Sequence, residues 1–81
     1  MVKVLFFARL RQQLDTGEIA LADFCGSLSA LREALCEQYP HWCVYLQRDD
    51  IRMALNQELA EPDTLVNAGD EVAFFPPVTG G

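Results

Sequence analysis

A single apolar stripe at helical spacing, Leu28, Leu31, Leu35 and Tyr39, lies between segments that alternate like strands. One helix covers only one face of a sheet, so such a chain folds as a helix laid on a small sheet whose second face stays open. Ser27 is placed to cap the helix, its hydroxyl accepting from a first-turn amide. Pro40 ends it, because the residue before a proline is pushed out of the α region. Arg32, Glu33 and Glu37 take the solvent side.

The flanking segments supply the sheet. Val2 to Ala8 is β-branched and aromatic, and predicts a strand with Val2, Val4 and Phe6 on one face and Leu5 and Phe7 on the other. Asp15-Thr16-Gly17 reads as a turn into a second strand, Glu18 to Leu21, the two forming a hairpin. Beyond the helix, Trp42, Tyr45 and Leu46 predict a short second helical turn before the charged loop Arg48-Asp49-Asp50. Ile51 to Leu55 alternates as a third strand, Asn56-Gln57 turns it, and Glu58 to Ala60 returns. A loop from Glu61 to Gly69 precedes the final strand, Asp70 to Phe75, with Val72 and Phe74 on one face and Ala73 and Phe75 on the other. The order specifies an α+β domain of β-grasp topology: a mixed five-stranded sheet over residues 1–75, one main helix on one face, and a flexible tail over 76–81.

Length and charge limit the functions open to this fold. At 81 residues the chain is one domain, able to bury about 60% of its unfolded surface. Twelve acidic residues against six basic ones give a net charge of −6. Such a surface repels phosphate backbones and anionic lipid, so neither nucleic acid nor membrane is an expected partner; a protein with a basic face is. The run Val4 to Ala8 is too short for a signal-peptide core, so the expected location is cytoplasmic. Cys25, Cys36 and Cys43 contain no C-x-x-C pair. They read as free thiols packed like small apolar groups, and the Cys36, His41, Cys43 cluster is a weak metal signal. Asp49-Asp50 sits on a loop, where adjacent carboxylates point apart and make no acid/base dyad.

The last six residues, Pro76-Pro77-Val78-Thr79-Gly80-Gly81, carry the strongest functional signal. The prolines fix φ, donate no amide hydrogen and so end the last strand. Gly80 and Gly81 lack Cβ and pass through channels too narrow for other residues. Extended, six residues reach roughly 20 Å at about 3.3 Å each, enough to enter another protein's active site while the domain stays outside. On the uncovered sheet face, Leu5, Phe7 and Phe75 should form one apolar patch, extended by Leu59. Phe75 abuts the prolines, which favours a partner surface with the aromatics as anchors over a patch covered by the loop from Glu61. Arg11 is either a surface charge or a rim contact.

The run Gly69 to Gly81, together with Val2-Lys3-Val4-Leu5-Phe6-Phe7-Ala8 and Ala54-Leu55-Asn56-Gln57, closely resembles the small, sulfur-carrier subunits of molybdopterin synthases, the MoaD/ThiS-like family. The resemblance spans the chain. It implies that a ubiquitin-activating-type enzyme spends ATP to adenylate the Gly81 carboxylate, with no cofactor bound to the carrier itself. A sulfur donor, a persulfide protein, then converts the adenylate to a thiocarboxylate. The tail enters the large synthase subunit, where sulfur passes to cyclic pyranopterin monophosphate, and two transfers build the molybdopterin dithiolene. A dimer of heterodimers is implied as well. An α-carboxyl ionises near ~3.5, so at neutral pH it is ready to attack the α-phosphate of ATP but is a poor acyl donor until adenylated. Catalytic groups are then expected on the partners. Other readings are the thiamine-pathway sulfur carrier, against which Phe74-Phe75-Pro76-Pro77 argues, a ubiquitin-like modifier joined to lysines, and an interaction module with an inert tail.

Overall fold

A computed structural model describes residues 1–77. The first strand, β1 (Val2–Phe6), places Val2, Val4 and Phe6 in the core. It pairs antiparallel with β2 (Glu18–Leu21) and parallel with β7 (Glu71–Phe75). On the far side of β7 lie β4 (Arg52–Leu55) and β5 (Glu58–Leu59), so the strand order is β2-β1-β7-β4-β5. The sheet is mixed and five-stranded, and its central strand is the last in the described chain.

The main helix, α2 (Leu28–Gln38), forms where the stripe places it, with Leu28, Leu31 and Leu35 fully buried. Its first amides are all engaged. The Ala30 N–H donates to Ser27 Oγ at 3.1 Å, the Leu28 N–H to Thr64 O and the Ser29 N–H to Pro62 O, each at 2.9 Å. A helix start left without acceptors would expose donors that cost stability, and here the long loop supplies two of them. That loop also contributes β6 (Leu65–Val66), which pairs with β3 (Gly26–Ser27). It is therefore bound to the start of α2 rather than folded over the open face.

The structure differs from the sequence reading in two further respects, at α1 and at the strand ends, while the expected second helical turn forms. The first strand ends at Phe6, and a helix, α1 (Ala8–Leu14), stands between β1 and β2. The two strands are antiparallel neighbours but not a hairpin. Asp15, at φ 53°, is the left-handed C-cap of α1, its N–H donating to the carbonyls of the last turn. Leu10 and Leu14 join the same core as α2, so α1 too lies on the covered face. The helical turn at Trp42–Leu46 is a 3-10 turn, Pro40–Trp42, continued by α3 (Cys43–Leu46). Ile51 lies just before β4, Ala60 just after β5 and Asp70 just before β7.

The core is built of apolar and aromatic side chains, and among the described residues only the Trp42 Nε1 lies buried in it as a side-chain polar atom without a partner. Phe6 stacks on Phe74 at 5.9 Å and meets Trp42 edge-on at 5.3 Å, and Tyr39 lies over Trp42 at 4.1 Å. Aromatic pairs of this geometry add about 0.5–1.5 kcal/mol each beyond the area they bury. Among the described residues no helix is long and apolar enough to cross a membrane.

Candidate functional site

Alternation along the strands builds the uncovered face. Leu5 pairs with Ala73, Ala73 with Ala54, and Ala54 with Leu59 across neighbouring strands. Two alanines side by side make a low floor, and the larger side chains beside them make walls. The result is a groove of about 680 Å³ whose lining includes Leu5, Phe7, Ala54, Leu59, Phe75 and Pro76. Phe7 is 46% exposed and Leu59 73%, so two of the bulkiest lining groups stand substantially in solvent among the described residues.

Local backbone geometry fixes the ends of this groove. The Phe7 N–H donates to Phe74 O at 3.1 Å, holding Phe7 beside β7 after β1 has ended. Ala8 then takes φ 56°, a left-handed conformation that turns the chain into α1. At the other end, Asn56 and Gln57 have φ 52° and 71°, the sign a two-residue hairpin turn requires at both positions. The Asn56 Nδ2 donates to Asp70 Oδ1 at 3.2 Å, and the Glu71 N–H donates to Asn56 Oδ1 at 3.0 Å. This ties the β4–β5 turn to the entry of β7. Asp70 also accepts from the Asn67 N–H at 2.8 Å, and the Asn67 and Asn56 donors hold its carboxyl below the usual range.

Five of the residues singled out from sequence therefore fall in two places. Leu5, Phe7, Leu59 and Phe75 line the groove. Arg11 does not: its side chain lies against Gly17 in a neighbouring cleft with Gln12, Asp15 and Thr16, and Ala8 borders both. Pro76 is the groove's last lining residue. It also borders a small cleft formed with Arg9, Gln13, Arg48, Asp50 and Ile51. Pro77 lies beyond the last strand; Val78, Thr79, Gly80 and Gly81 are outside the described residues.

Ala54 and Arg9 are the contributors that sequence reasoning passed over. Alternation within Ile51 to Leu55, combined with its pairing to β7, is the signal that places Ala54 on the open face. Arg9 carries no local signal, because nothing in the pattern of residues 9–14 marks α1.

Outside the groove, Asp50 is held by Arg48, whose Nε and Nη2 donate to its two oxygens at 3.2 and 3.3 Å. Among the described residues no three His, Cys, Asp or Glu groups come together to hold a metal. Cys36 and Cys43 are half-buried, and burial together with the neighbouring Cys43 thiol pushes the Cys36 thiol up to about 12. The open face is thus an apolar groove that reaches Pro76. The model of the ThiS family matches residues 4–81.

The chain belongs to the ThiS family.

A full-length relative bears this out. The molybdopterin synthase sulfur carrier subunit of Haemophilus influenzae is 41% identical over 81 residues, covering all of both chains. Solved structures agree on the fold. The crystal structure of SAMP1 from Haloferax volcanii aligns with a TM-score of 0.81 at 26% identity, covering 99% of this ThiS-family chain and 98% of that one. A chain in the complex of subunits 1 and 2 of molybdopterin-converting factor from Helicobacter pylori aligns with a TM-score of 0.69. Its identity is 26%, covering 99% of this chain and 97% of that one.

Proposed function

We propose that this chain is the sulfur carrier of a molybdopterin synthase, and that it carries sulfur as a thiocarboxylate on Gly81. Membership of the ThiS family and end-to-end likeness to a relative named as that carrier support the assignment. The structural observation that carries it is continuity: the apolar groove runs without a break to Pro76, where the tail begins. A partner seated on the groove is positioned to receive residues 76–81.

The chemistry follows from a carrier whose reacting group has no side chain. An oxygen of the Gly81 carboxylate attacks the α-phosphate of ATP on the adenylating enzyme, and pyrophosphate leaves. A persulfide sulfur then attacks the acyl carbon. AMP leaves, and reductive cleavage of the sulfur–sulfur bond by a donor thiol yields the thiocarboxylate. With no Cβ on Gly81, nothing shields that carbon from attack. The large synthase subunit supplies the site where sulfur passes to cyclic pyranopterin monophosphate. The groove presents Leu5, Phe7, Leu59 and Phe75 to that subunit as the apolar anchors of the interface.

Top-down mass spectrometry of the protein from its native cell, with the C-terminal fragment sequenced, tests this. One oxygen replaced by sulfur at Gly81 is the expected result. A plain carboxylate during active cofactor synthesis would overturn it. The likeness to SAMP1, a small archaeal modifier protein, favours a second reading in which Gly81 forms isopeptide bonds with lysines. Conjugates resistant to denaturing electrophoresis are its signature.

A further inference from the structure

The net charge of −6 suggests a partner with a basic surface, but helix α1, beside the groove, carries two arginines and no acidic residue. We infer that α1 guides docking, with Arg9 and Arg11 seating against carboxylates on the large subunit that receives the tail. This rests on the proposed function and adds the chemistry of the surface that the partner must present.

Helix α1 reads Ala8-Arg9-Leu10-Arg11-Gln12-Gln13-Leu14, with Leu10 and Leu14 buried and both arginines exposed. It contains no acidic residue. Among the described residues neither arginine has a carboxylate within 4.0 Å. The acid best placed to neutralise Arg9 is Asp50, which shares its cleft beside Pro76, but Arg48 already engages both of its oxygens. Asp15 borders the Arg11 cleft without pairing with it, and Glu71 is the acid on the rim of the groove.

Continuity makes these charges unavoidable for a partner. Ala8 lines both the groove and the Arg11 cleft, and Pro76 lines both the groove and the Arg9 cleft. A protein that covers the groove and takes in the tail must therefore approach α1. A guanidinium brought under a partner without a counter-charge keeps its desolvation cost unrelieved, whereas a carboxylate meets its planar fork with two hydrogen bonds. Surface charges of this kind act mainly on the rate of encounter.

The test is the association rate of the full chain with its cognate large subunit, measured for wild type, Arg9→Glu, Arg11→Glu and the double variant. Circular dichroism verifies folding, and Arg→Gln at both positions serves as the neutral comparison. The double charge reversal is expected to slow association about tenfold at low ionic strength. The difference should close near about 0.5 M salt, where screening lengths fall to a few ångströms. An unchanged rate, or a faster one because the facing surface is basic, would overturn the inference while leaving the carrier reading intact. A wild-type chain that does not bind the large subunit at all would overturn both.

Discussion

A Cβ added to Gly17 would lie 2.9 Å from Nε of Arg11, so the Arg11 side chain fills the space that any larger residue at position 17 would claim. The backbone there is already committed, because Gly17 O accepts from the Phe6 N–H at 3.0 Å. What can yield is the far end of a flexible arginine. Gly17→Ala is therefore expected to change stability by no more than about 0.5 kcal/mol while moving the guanidinium. Thermal melts measure the first effect. A two- to threefold slower association with the large subunit would register the second.

Phe74 and Phe75 are adjacent in sequence and opposite in role. Phe74 is fully buried against Phe6, and Phe74→Ala is expected to cost about 3–5 kcal/mol, enough to unfold much of a marginally stable domain. Phe75 lines the groove, and Phe75→Asp is expected to weaken binding to the large subunit at least tenfold with a nearly unchanged urea midpoint. Equal losses of stability in the two variants would contradict this division of the strand.

Asp70 links acid stability to the hairpin. Its carboxyl is held below the usual range by the Asn67 N–H and the Asn56 amide, so the folded chain keeps it ionised to lower pH than the unfolded chain does. The stabilisation is present above about pH 4, the ordinary carboxylate range, and is lost as pH falls through the lower folded value. Urea midpoints from pH 6 to pH 2 should fall more steeply for wild type than for Asp70→Ala.

Cys36 is expected to be the least reactive thiol. Burial and Cys43 push it up to about 12, so at pH 8 almost none of it is thiolate, the form that reacts. Cys25 is exposed and should be alkylated first, as peptide mapping after brief iodoacetamide treatment would record. Because the folded state holds this proton more tightly than the unfolded chain, stability should also decline as pH rises above about 9.

Gln57 occupies the left-handed second position of the β4–β5 turn, with φ 71°. Glycine takes that conformation without the Cβ penalty, so Gln57→Gly is expected to stabilise the domain by about 1 kcal/mol. A raised melting temperature is the measurable outcome.

The parts of the fold legible in the sequence were those with long periodicity. The stripe from Leu28 to Leu35, the two faces of Val2 to Phe6 and the alternation of Glu71 to Phe75 each repeat a pattern over at least five residues. Helix α1 was missed because its seven residues bury only Leu10 and Leu14 and start without a side-chain cap. The Asp-Thr-Gly that follows matches a hairpin turn as well as it matches a helix end, since both exploit residues tolerant of positive φ. Strands β3 and β6 have two residues each, too short for any alternation to show. The groove followed from side-chain parity, but its depth depends on Ala54 lying beside Ala73, a relation set by strand order. The separation of Arg11 from the groove depends on α1, and no local pattern could reveal it.

The parallel pairing of β1 with β7 joins the first strand of the described chain to the last. During synthesis the central strand is made after the others described, so β1 and β4 wait for a shared neighbour that has not yet left the ribosome. Phe7 and Phe75 meet only after that strand arrives. The groove and Pro76 at its end therefore come into existence in one event. A chain cut short before β7 lacks Phe75 and Pro76 and leaves β1 and β4 without their shared neighbour.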